Sequence, residues 1–194
     1  YERISALTIN DADGIITPSV LKETRLGKND ERLVVTHKHR SCSCKPTPCT
    51  CLLLGGRITR GAAGCASSHV LIWKKIAQSE ISGLILEDDI DNVPTRLMLD
   101  SIMDNAPTEA DLLYLGTSSS LYFTKWTQVN KSVFGGFAYV LRPSGAQKLL
   151  SKLPMDRQCD SWMSSRGLNQ WAFYPFITTP SSEKSSFGSD VQIL

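Results

Sequence analysis

The segment Leu84-Ile85-Leu86 is an unbroken apolar run that stops at three consecutive acids, Glu87, Asp88 and Asp89. A strand without polar alternation is one buried on both faces, so the fold must place other layers above and below it. Upstream, Ala62, Cys65, Ala66, His69, Val70, Ile72, Trp73 and Ile76 recur at three- and four-residue spacing. That spacing predicts a helix from Arg60 with one apolar face, broken by Gly83. Downstream, residues 94–103 read as a second helix with Pro94 near its first turn. Residues 111–116 and 137–141 read as further buried strands, and Pro143 starts a helix carrying Ala146, Leu149, Leu150 and Leu153. Nearer the start, residues 4–9 alternate as a strand, 10–14 carry turn chemistry, Thr17-Pro18 opens a short helix through Leu21, and 33–36 form a short strand. Strands alternating with helices point to an α/β fold with a largely parallel or mixed sheet.

Composition narrows the function. A chain of 194 residues, 41% hydrophobic and 21% charged, can bury one real core, so 1–194 reads as a single domain. A net charge of +2 argues against bulk electrostatic binding of nucleic acid. No apolar run approaches the roughly 20 residues that cross a bilayer, so no transmembrane segment is expected in this chain. Tyr1 to Ser5 show no charged stretch leading into an apolar one, so no leader is expected either.

Four of the six cysteines, Cys42, Cys44, Cys49 and Cys51, form a Cys/Pro-rich loop at about 37–56, with His37 and His39 just upstream. Three readings stand: one Zn2+ held by four thiolates, two disulfides in an oxidising compartment, or free thiols. Because the loop suits either redox setting, a cytoplasmic, membrane-peripheral location is the expectation and the secretory lumen the alternative. Cys65 and Cys159 read as buried structural thiols.

The acids carry the functional signal. Ligands of open α/β sheets bind at the carboxyl ends of strands, and adjacent carboxylates there repel one another unless a cation compensates. Hard oxygen ligands suit Mn2+, Mg2+ or Ca2+. The rival reading is a solvated acidic turn.

The surrounding text adds a resemblance. Gly64-Cys65-Ala66-Ser67-Ser68-His69, with Trp73 a turn later, leads into Leu86-Glu87-Asp88-Asp89. Gly136 to Leu141 is followed by Gly145-Ala146-Gln147-Lys148-Leu149-Leu150, then Pro154-Met155-Asp156 and Gly188-Ser189-Asp190-Val191. In this order the motifs resemble glycosyltransferase family 25, which includes lipooligosaccharide and collagen hydroxylysine galactosyltransferases. The family usually opens with an I-N-L strand followed by arginines, and Ile9-Asn10 is a poor match to it.

The resemblance implies a GT-A-like, Rossmann-like nucleotide-sugar-binding fold with a mixed, mostly parallel sheet. It implies inverting transfer of a hexose, galactose first, from a UDP-sugar to a hydroxyl on a glycan or protein, with Mn2+ or Mg2+. Asp89 is then the first metal ligand, with Glu87 on the metal or the ribose, and Asp88 the third acid. His69, Ser189 and Asp190 are donor-site candidates. Inversion needs a base for the acceptor hydroxyl, for which Asp156 and Asp160 are the candidates. Against these stand a helix-capping Asp156, a tail position for Asp190 and a hydrogen-bonded core role for His69. Trp73, Trp126, Trp162 and Trp171 read as packing residues. The alternative function is a non-catalytic GT-A-like binding domain, or a fragment without the first donor-binding strand.

Overall fold

The computed structural model describes residues 2–3, 5, 7–25, 58–117, 125–130, 133, 135–180 and 191–193. The strand expected at 33–36, His37, His39, Cys42, Cys44, Cys49, Cys51, Gly188, Ser189 and Asp190 lie outside the described residues.

The predicted helix from Arg60 is α2 (Arg60–Ala77), following α1 (Pro18–Arg25). Thr59 caps α2, accepting from the backbone N–H of Ala62. The apolar run is β2 (Gly83–Glu87), followed by α3 (Arg96–Met103), β4 (Leu112–Gly116), β6 (Ala138–Leu141) and α4 (Pro143–Leu150). Five strands escape periodicity: the short pair β3 (Ile90–Asp91) and β8 (Thr179–Pro180), β5 (Lys125–Gln128), β7 (Gln170–Tyr174) and β9 (Val191–Ile193). So does the short helix α5 (Cys159–Ser164). Near the start, the described residues of the span 4–9 form no strand, which corrects that expectation; β1 (Glu2–Arg3) lies before it. Ile9–Asp11 instead form a 3₁₀ turn, because Thr8 and Asp11 cap each other's backbone N–H groups.

Seven strands form one sheet in the order β1-β9-β2-β6-β4-β7-β5. Among its pairings only β4–β7 is parallel; β1–β9, β9–β2, β2–β6, β6–β4 and β7–β5 are antiparallel. The expectation of a mostly parallel sheet is therefore corrected. Continuous apolar runs report burial on both faces and carry no information on strand direction.

Successive residues of the central strands serve two cores. Ile85, Leu112, Tyr114, Tyr139 and Leu141 join the α2, α4 and α5 side, with Trp73, Ala146 and Trp162. Leu84, Leu86, Leu113, Leu115, Ala138 and Val140 face the other side, with Ile102 of α3. Trp162 stacks on Trp73 at 6.2 Å, which supports the packing reading of both.

The register sets the site. Leu86 and Gly116 both pair with Ala138, so the carboxyl ends of β2 and β4 and the start of β6 share one edge. The other end of β4 is pinned by buried Asp111, which accepts from Lys148 Nζ (2.6 Å), Ser144 Oγ (3.1 Å) and the Asn169 N–H (2.9 Å). Burial alone would raise this carboxyl; Lys148 and the Asn169 N–H outweigh it and hold it below its ordinary range.

Asp111→Ala should cost about 2–3 kcal/mol in chemical denaturation, discounted because half-exposed Lys148 regains water. A lowered folded pKa stabilises above the unfolded value of about 3.9 and loses that contribution as pH falls through the folded value. Asp111→Asn should therefore flatten the acid limb of stability against pH. Gly64→Ala should cost about 2–3 kcal/mol, because its Cβ would collide with the Leu7 carbonyl oxygen; an unchanged melting temperature would refute that contact.

Candidate functional site

At the shared strand edge lies a cavity of about 270 Å3 lined by Cys65, His69, Glu87, Gly135, Gly136 and Asp160, among others. Helix α2 contributes Cys65 and His69 one turn apart on one face. Strand β2 delivers Glu87, whose backbone N–H donates to the Phe137 carbonyl at 2.9 Å. Asp160 lies in the first turn of α5; its Oδ2 accepts from the Gly135 N–H and its Oδ1 from the Ser161 N–H, both at 2.6 Å.

His69 is 3% exposed and tied at both ring nitrogens. Its Nδ1 lies 2.7 Å from the Tyr139 hydroxyl, which also accepts from Trp73 Nε1–H at 3.0 Å. Its Nε2 lies 3.2 Å from Glu87 Oε1. Burial disfavours the imidazolium, but the charge and hydrogen bonds of Cys65 and Glu87 override it and raise His69 to about 10. Burial first, then Cys159 and Glu87, keep the Tyr139 hydroxyl far above its ordinary range, so it stays protonated.

Asp88 and Asp89 form the turn between β2 and β3. Asp89 Oδ1 is buried without a hydrogen-bond partner, and burial, then the Glu87 charge, raises its carboxyl above the ordinary range. The hard oxygens of a carboxylate so placed fit a divalent cation such as Mn2+ or Mg2+.

The structure thus brings His69, Glu87 and Asp160 to one cavity. Asp156 is absent from its wall. It pairs with Arg157 at 3.0 Å and Arg166 at 3.6 Å, and hydrogen bonding from Arg157 lowers its pKa. Nor does Asp156 cap α5, whose N-cap is Gln158. Cys159 is buried as expected, but Cys65 is half-buried in the cavity wall. Its four-residue spacing from His69 was the available signal, submerged in the apolar stripe of α2.

The sequence profile of glycosyltransferase family 25 (LPS biosynthesis protein) matches residues 52–126, which span α2, β2, the acidic turn, α3 and β4. Over that stretch the chain is similar to glycosyltransferase family 25. It is 33% identical over 116 residues to the human inactive glycosyltransferase 25 family member 3, covering 53% of this chain and 19% of that protein. The probable inactive glycosyltransferase 25 family member 3 of Rattus norvegicus is 30% identical over 126 residues, covering 53% and 20%. The glycosyltransferase 25 family member of Aedes aegypti is 27% identical over 152 residues, covering 63% and 25%. The chain therefore spans a quarter or less of the length of these relatives. No solved structure gives a significant match.

A folded His69 pKa of about 10 against about 6.5 unfolded predicts a contribution fully present below pH 6.5 and lost as pH rises through 10. His69 should remain cationic at about pH 8 in a side-chain NMR titration of the metal-free chain. A neutral ring there would refute the assigned charge.

Proposed function

We propose that this chain is the nucleotide-sugar-binding part of a GT-A-like glycosyltransferase. It would move a hexose, galactose first, from a UDP-sugar to a hydroxyl on a glycan or protein with inversion. The observation that carries this reading is the acidic turn Asp88-Asp89 beside a cavity walled by His69, Glu87 and Asp160, within the family-matched stretch or next to it in space.

Asp89 is the candidate ligand for Mn2+ or Mg2+, with the charge of Glu87 beside it. Such an ion, when bound, supplies positive charge against a donor diphosphate. Asp160 is the carboxylate placed to take a proton from an acceptor hydroxyl in the cavity, while the backbone N–H groups of Gly135 and Ser161 hold its orientation. Asp156, engaged by two arginines, is the weaker base candidate.

A second reading, a related domain that binds a sugar nucleotide without transfer, is favoured by the names of the human and rat relatives, called inactive and probable inactive.

Calorimetric titration of UDP and UDP-galactose, with and without Mn2+, tests the first step. Metal-dependent binding that Asp89→Ala abolishes supports donor recognition at this edge. In a transfer assay, Asp160→Asn should retain donor binding and lose turnover by about 10²–10⁴-fold, with Asp156→Asn much less affected. Binding without any transfer favours the second reading, and no binding by a folded sample overturns both.

A further inference from the structure

The convergence of Cys65, His69 and Glu87 brings a thiol sulfur into the cavity, which the donor-site reading does not use. One ligand atom from each, a thiol sulfur, a ring nitrogen and a carboxylate oxygen, lies within 4.8 Å of the other two. Among the described residues no other set of three His, Cys, Asp or Glu side chains converges in this way. Asp88 and Asp89, next in sequence to Glu87, are not members of the set.

The donor set is mixed S, N and O, which suits a borderline-soft ion such as Zn2+ better than Mn2+ or Mg2+. Tetrahedral zinc, with bonds of about 2.0–2.3 Å, places its ligands roughly 3.3–3.8 Å apart, so small inward rotations close the set. One thiolate and one carboxylate also balance a divalent charge, which matters where His69 is 3% exposed and the Glu87 side chain 19% exposed.

The surroundings select the coordinating nitrogen. Zinc-bound histidines give their other ring N–H to a fixed acceptor. Here His69 Nδ1 has that acceptor in the Tyr139 hydroxyl at 2.7 Å, itself held by Trp73 Nε1–H. Nε2 is left facing Glu87 Oε1. The cavity of about 270 Å3 lies on the open side, where a fourth ligand, water or a substrate oxygen, can enter.

We propose that Cys65, His69 and Glu87 form a three-ligand site for Zn2+ whose fourth position opens into the cavity. The site is separate from the hard-ion role of Asp89 and does not rest on the transferase reading, because its test uses no donor.

Co2+ replaces Zn2+ as the probe, since a thiolate ligand gives cobalt a near-ultraviolet charge-transfer band. The full chain is used under reducing conditions, with Cys42, Cys44, Cys49 and Cys51 all changed to Ser so that only Cys65 and Cys159 remain as thiols. The expected result is a band that saturates at about one equivalent, is displaced by Zn2+, and disappears when Cys65→Ser is added. Tyr139→Phe in the same background should weaken Co2+ binding by about 10-fold or more while keeping the band, which a merely structural hydroxyl would not do. In the unsubstituted chain, Cys65→Ser should lower bound Co2+ by about one equivalent, whatever the Cys42–Cys51 segment binds. A folded four-serine variant without the band, or a band that survives Cys65→Ser, overturns the site and leaves a hydrogen-bonded Cys–His–Glu cluster. The test itself uses no UDP, so its failure and the failure of donor binding are read separately.

Discussion

The central sheet is covered on both faces, and the placement of polar chemistry follows from that constraint. Ile85, Tyr114 and Tyr139 pack under α2 and α5, while Leu86, Leu113 and Ala138 pack on the α3 side. A charged group on either face would lose its hydration without a partner, at a cost of several kcal/mol, so carboxylates collect where strands end. Asp111 marks one edge and is neutralised by Lys148. Glu87, Asp88 and Asp89 mark the other edge, where Glu87 lines the cavity. The first edge anchors the sheet to α4; the second offers negative charge to a cavity.

One polar thread runs from that cavity into the core. Trp73, Tyr139 and His69 are all buried, yet hydrogen bonds connect them in series to Glu87 at the surface of the cavity. A fully satisfied buried network orients its members more rigidly than packing alone. It fixes which ring nitrogen of His69 looks outward, and so which chemistry the cavity can receive. The same helix that supplies His69 supplies Cys65, which ties the reactivity of the cavity to the packing of α2.

Much of the architecture was legible because burial leaves a periodic trace. α2, β2, β4, β6 and α4 were all visible as apolar stripes or runs. β5, with exposed ends at the sheet margin, and β7, with alternating half-buried aromatics, carry weak traces and were missed. Strand direction was misjudged because an apolar run reads the same both ways. Of the candidate site residues, Glu87, His69 and Asp160 share the cavity. Asp156 looked equivalent in sequence, but Arg157 and Arg166 take it out of that company. Cys65 reads as a core thiol from its apolar surroundings, and the structure places it half-buried in the cavity wall.

The sequence by itself determined most of the residues that leave water, where α1, α2 and α4 start, and that acids follow β2, since these depend on neighbours a few positions away. It also carried the resemblance to glycosyltransferase family 25, through motifs kept in order along the chain. Only the tertiary structure decided which polar groups meet. His69 reaches Glu87 across 18 residues and Tyr139 across 70, and both contacts depend on how α2 docks on the sheet. That docking angle is set by the summed packing of Trp73, Ala146 and Trp162, a collective property that local periodicity does not encode.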